Sequence, residues 1–134
     1  MNKFLLLIAI LSTFVFSSSN VQPNFVIIYV DDMGYADIGK FQDEKISTPN
    51  LDVMASNGQT WTNFYASSSV CTPSRAGLLT GMLPVRNGLY GDQIAVFFPG
   101  SKTGIPKNQL TLAEVFQTNG YATGIFGKWH LGDA

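Results

Sequence analysis

The feature that most limits what this chain can become is the run Phe25 to Val30 (FVIIYV), unbroken, apolar and rich in β-branched side chains. A strand with one wet face would alternate apolar and polar residues instead. The run therefore suits a strand buried on both faces, as in a parallel sheet covered by helices. It stops at Asp31-Asp32-Met33-Gly34, which leaves two carboxylates at the strand's C-terminal end, the edge along which open α/β sheets build their sites. A chain of 134 residues has room for one domain with a core and little for a second. Hydrophobic residues at 46% against 13% charged exclude a disordered segment. A net charge of −1 without a Lys/Arg patch excludes a nucleic-acid partner and a surface for anionic membranes.

The first residues read as an export signal, 1–19, ahead of a domain spanning 20–134. Lys3 provides the positive start, Phe4 to Phe16 is almost wholly apolar, and Ser17, Ser18 and Ser19 are small residues near a cleavage site. The apolar stretch falls short of the roughly 20 residues that span a bilayer. Membrane contact is thus expected only during export, toward a periplasmic, extracellular or lysosomal destination. Cys71 is the one cysteine of this chain. Without an internal partner it is half of an intermolecular disulfide, a free thiol or a chemically altered residue.

Thr48-Pro49-Asn50 predicts a helix start with Thr48 as N-cap, an apolar face of Leu51, Met54 and Ala55, and a stop at Gly58. Trp61 to Tyr65 reads as a second strand. A further helix is expected from Pro73 to Gly81. Pro84 to Lys107 reads as a long irregular loop of the kind that often carries function. Thr111-Leu112-Ala113-Glu114 has capping-box spacing, with Gly120 as the stop, and Tyr121 to Phe126 predicts a strand ending at Gly127-Lys128-Trp129-His130. This alternation is α/β logic.

With a helix opening at Pro73, residue 71 lies just ahead of it, where unpaired N–H groups and the helix dipole favour an anion. Arg75 adds a fork of donors suited to tetrahedral oxyanions. Taken alone, the pair is equally a buried structural cysteine beside a surface arginine. Asp31-Asp32 alone is a turn with two solvated acids, Lys128 a surface lysine, and His130, the single histidine, a structural residue.

Taken together, these segments point further. Cys71-Thr72-Pro73-Ser74-Arg75, followed by Ala76-Gly77-Leu78-Leu79-Thr80-Gly81, closely resembles the signature of the sulfatase family. Gly120 to His130 resembles that family's second signature, with Phe126 where a smaller residue is usual. The likeness runs from about Asn24 to Gly132. It implies an α/β fold of the alkaline phosphatase-like type, a three-layer α/β/α sandwich on a mostly parallel sheet, of which only the N-terminal part is present. It also implies a sulfuric ester hydrolase of the arylsulfatase kind, acting on aryl or carbohydrate sulfate esters. Cys71 would be converted to formylglycine by the formylglycine-generating enzyme and hydrated to a geminal diol. Asp31 and Asp32, with residue 71, would ligate a divalent cation. Arg75 and Lys128 would clamp the sulfate, and His130 would hydrogen-bond the diol. Oxygen ligands favour Ca2+, with Mg2+ as the alternative, and a hard cation relieves the repulsion of adjacent carboxylates. One histidine excludes a His-rich zinc site.

Sulfatases carry further metal ligands, a further lysine and a leaving-group acid that have no counterpart here, so little activity is expected of these residues alone. Three other readings stand beside the first. They are an inactive sulfatase remnant, a phosphodiester or phosphonate ester hydrolase of the same superfamily, and a cysteine hydrolase with His130 as base.

Overall fold

The computed structural model describes residues 21–41, 46–91 and 95–132. It divides into two units, Met1–Val30 and Asp31–Ala134. The expected signal at 1–19 lies outside the described residues.

In the first unit, residues 21–30 belong to no helix and no strand, and Val26 and Ile28 are 84% and 68% exposed. The strand buried on both faces that the FVIIYV run predicts is not formed. Apolar patterning creates the demand for burial, but a strand exists only as a member of a ladder, and a ladder needs a neighbour. The strands expected at Trp61 to Tyr65 and Tyr121 to Phe126 are also absent. Among the described residues a lone bridge at Gly91 is the only β pairing, so the sheet of the expected sandwich is not assembled there.

The regular elements of the second unit are short helices joined by irregular chain. Two 3-10 turns, Tyr35–Asp37 and Gly39–Phe41, precede α1, Pro49–Asn57. Thr48 stands at the N-cap of α1, but its hydroxyl does not cap the helix. It accepts the Gly39 N–H at 2.8 Å and donates to Asp52 Oδ1 at 3.2 Å, and Asp52 Oδ1 also accepts the Lys40 N–H at 3.0 Å. These bonds tie the second turn to the helix. No residue of α1 is fully buried; of its expected apolar face Leu51 and Ala55 are half-buried and Met54 is exposed.

α2 spans Cys71–Thr80 and is closed by Gly81, whose left-handed backbone (φ +64°) sends its N–H to the Gly77 carbonyl. α3, Pro84–Asn87, is a short helix inside the segment expected as irregular loop, with proline in its first turn. α4, Leu112–Thr118, carries the predicted capping box. The Glu114 N–H donates to Thr111 Oγ1 at 3.3 Å and the Thr111 N–H to Glu114 Oε2 at 2.7 Å. α2 packs against both α3 and α4.

The core is small and built on α2. Ala76 is fully buried against Leu89, Phe97 and Leu131, with Leu79 and Ile105 alongside. Leu89 and Phe97 come from the segment 84–107, which is therefore core as well as loop. Beneath the core two chain segments cross. The Ile105 N–H donates to the Leu131 carbonyl at 3.1 Å, and a Cβ at Gly132 (φ +103°) would lie 2.5 Å from Gly104 Cα. Only glycine permits that approach. The crossing pins the chain directly after His130. Among the described residues no helix is long and apolar enough to cross a membrane.

Candidate active site

α2 begins at Cys71, with Val70 as N-cap, and not at Pro73. Proline is tolerated there because the first-turn N–H groups of a helix have no intrahelical acceptor, so its missing donor costs nothing. The first bond of the ladder runs from the Ser74 N–H to the Val70 carbonyl at 3.2 Å. Cys71 thus sits on the first turn itself, half-buried.

One carboxylate gathers the surrounding groups. Asp31 Oδ2 accepts from Lys128 Nζ at 2.5 Å and from Arg75 at 3.3 Å, while Asp31 Oδ1 accepts from Cys71 Sγ at 3.7 Å. Lys128 Nζ also lies 3.4 Å from Cys71 Sγ, and a second arm of Arg75 donates to the Lys128 carbonyl at 2.8 Å. Residues 71, 75 and 128, expected in one site with residue 31, each meet the Asp31 carboxylate. The ammonium of Lys128, and after it the Arg75 guanidinium, holds the Asp31 carboxyl below its ordinary range. Asp31 in turn, followed by Cys71, holds Lys128 above its own. Asp31 is thus a counter-ion to two cations, a role its pairing with Asp32 did not suggest.

Asp32 and His130 share another property. They are the only described non-glycine residues with positive φ, +55° and +58°. A left-handed backbone at a residue with a Cβ persists only where surrounding contacts impose it, and such residues cluster at functional sites. Among the described residues no hydrogen bond or ion pair holds the Asp32 carboxylate. The donor set fits a hard divalent cation in kind, as two adjacent carboxylates, but not in number. Among the described residues no three of His, Cys, Asp and Glu converge, so the expected trio of Asp31, Asp32 and Cys71 is not gathered as a metal cluster.

His130 is placed differently from expectation. Its Nε2 lies 2.6 Å from the Phe97 carbonyl oxygen, and no hydrogen bond joins its ring to Cys71. Its Nδ1 is buried and has no partner. Thr72, fully buried, donates its hydroxyl to the His130 carbonyl at 2.9 Å and accepts the Phe97 N–H at 3.0 Å. Sequence reasoning missed both neighbours. Thr72 occupies the unspecified place in Cys-x-Pro-Ser-Arg, and a backbone carbonyl carries no signal in sequence. Beside them opens a cleft of about 350 Å3, walled by Phe97, Phe98, Pro99 and Trp129 and reaching Lys128 and His130.

A family model described as Sulfatase matches residues 23–133. The chain is 53% identical over 110 residues to arylsulfatase A of Bos taurus, covering 82% of this chain and 21% of that protein. It is 53% identical over 111 residues to arylsulfatase G of Homo sapiens, covering 83% and 20%. The chain thus spans about a fifth of the length of the curated relatives it matches. The crystal structure of Ps i-CgsB superposes with a TM-score of 0.70 at 38% identity, covering 78% of this chain and 22% of that one. A second structure of that protein is a complex with k-i-k-neocarrahexaose.

Proposed function

The chain belongs to the sulfatase family, and from that premise we propose that it serves the hydrolysis of sulfate esters with residue 71 as nucleophile. The observation that carries this reading is the convergence of Cys71, Arg75 and Lys128 on the Asp31 carboxylate. Family membership implies an α/β fold, of which the described residues show helices and a single β bridge.

Cys71 Sγ stands where the oxygens of a hydrated formylglycine would be. Once hydrated, that group would supply a hydroxyl that gives its proton to water as it attacks sulfur. The alcohol would leave in line as the bond from sulfur to the ester oxygen breaks, taking up a proton from water, as in phosphoryl transfer. Arg75 and Lys128 offset charge spread over the peripheral sulfate oxygens. His130 then takes the proton of the second hydroxyl, the carbon–oxygen bond to sulfate breaks, and the aldehyde re-forms with release of sulfate. A divalent cation, Ca2+ or Mg2+, held in part by Asp31 and Asp32, would supply further positive charge beside the attacking hydroxyl. The aromatic cleft next to Lys128 and His130 suits a ring-shaped leaving group, an aryl or carbohydrate sulfate. Export through residues 1–19 belongs to the same reading.

Mass spectrometry of the Cys71 peptide, from a host with the converting enzyme, should show sulfur replaced by oxygen. Whatever turnover of an aryl sulfate the protein shows should vanish in Cys71→Ala. Catalysis of sulfate-ester cleavage by protein whose Cys71 remains a thiol overturns the proposal. A cysteine hydrolase with His130 as base has less support, because it leaves Arg75 and the Asp31-Asp32 pair without roles, although Arg75 and Asp31 meet beside Cys71.

A further inference from the structure

We propose that Thr72 and the Phe97 carbonyl form an orienting unit that fixes the tautomer and direction of His130, which makes Thr72 a positioning residue of the site. The catalytic part of this inference rests on the sulfate-ester reading; the structural part does not.

Three residues from distant segments close a ring of hydrogen bonds. Thr72 Oγ1 donates to the His130 carbonyl at 2.9 Å and accepts the Phe97 N–H at 3.0 Å, while the Phe97 carbonyl faces His130 Nε2 at 2.6 Å. A carbonyl oxygen only accepts, so Nε2 must carry the hydrogen. In the neutral ring the lone pair then resides on Nδ1, the atom that is buried without a partner. A base whose second nitrogen is tied to a fixed acceptor keeps one tautomer and one orientation, as a metal-ligating or catalytic histidine does with its supporting carbonyl or carboxylate. Here a main-chain carbonyl does this, and Thr72 holds that carbonyl in place through the Phe97 N–H. The same hydroxyl grips the His130 carbonyl and so helps to impose the left-handed backbone at φ +58°. Thr72 and Phe97 are both buried, Thr72 completely, so water does not compete for these bonds. Thr72 directly follows the nucleophile position, which couples residue 71 and the base through one side chain.

The single histidine makes the test direct. Nitrogen-15 NMR of the chain in alkaline solution, where imidazoles are neutral, should show Nε2 protonated and Nδ1 bare. Thr72→Val, nearly the same shape without the hydroxyl, should shift both ring nitrogens toward a tautomer mixture. Thr72→Ser, which keeps the hydroxyl, should restore the wild-type signals. In sulfatase assays corrected for the fraction of Cys71 converted, Thr72→Val should lower kcat by roughly 10- to 100-fold with little change in KM. That is part of the 10²–10⁴ a positioned base supplies. Unchanged nitrogen signals in folded Thr72→Val, or an Nδ1-protonated ring in the wild-type chain, overturn the proposal. If Thr72→Ser fails to restore the signals, the hydroxyl is not the cause and the proposal also falls. Signals that respond as expected in protein that never cleaves a sulfate ester uphold the orienting unit and refute the catalytic reading alone.

Discussion

Around the start of α2, groups from residues 31, 72, 75, 97 and 128–130 reach one another across 25 to 97 positions of sequence. The apolar side chains of residues 25–30 are at the other extreme, exposed and outside any strand. The difference is one of what each needs in order to be satisfied. A hydroxyl, a carboxylate or a guanidinium finds its partners one at a time, and a helix start with two crossing segments supplies them. A doubly buried strand needs hydrogen-bonding neighbours along its edges and apolar cover on both faces. A polar corner can therefore close on four packed side chains, while a sheet cannot.

That contrast can be broken or sharpened by experiment. The largest effect should come from Leu131→Ala, since Leu131 is nearly fully buried against Ala76, Leu89 and Phe97 and follows His130 in sequence. A loss of about 2–5 kcal/mol is expected in denaturant unfolding, with the His130 NMR signals disturbed as well. A loss below about 1 kcal/mol would show that the polar corner stands without its core. Thr111→Ala removes the capping box of α4, which packs on α2, and should cost about 1 kcal/mol by the same measurement.

A subtler effect concerns the Asp31–Lys128 pair. The lowered Asp31 contributes stability above its ordinary value of 3.8 and loses it as pH falls through the folded-state value. Lys128, raised, contributes below its ordinary 10.5 and loses that contribution as pH rises through its folded-state value. Between those limits the pair is intact. Carbon-13 NMR should place the Asp31 titration below the ordinary value, and Lys128→Met should move it upward. No movement would mean that Lys128 is not the counter-ion. The smallest effect is expected from Ile28→Ser, within about 0.5 kcal/mol for an exposed site. A loss of several kcal/mol there would show the run buried after all and erase the contrast.

Helix ends were legible in the sequence because their signals are local. Pro49, Gly58, Gly81, and Thr111 with Glu114 mark helix ends through contacts within a turn or two, and the helices begin or stop where these residues stand. The start of α2 was misplaced by two residues because Pro73 is as acceptable within the first turn as at its beginning. The 84–107 segment was read as loop throughout because its short helix and its two core residues leave no periodic pattern. The expected strands failed for the opposite reason. Their pattern is strong, but the described residues offer no ladder partner.

By itself the sequence singled out the residues proposed to carry the chemistry. Cys71 with Arg75, Asp31 with Asp32, and Lys128 with His130 stand out through their types, their spacing and their places at element ends. Only the tertiary structure decided how they are wired, with Asp31 serving two cations and His130 turned to the carbonyl of Phe97. Residue type is chosen one position at a time and remains visible in a string of letters. Partnership depends on distances between segments far apart in the chain, and often on main-chain atoms that every residue shares.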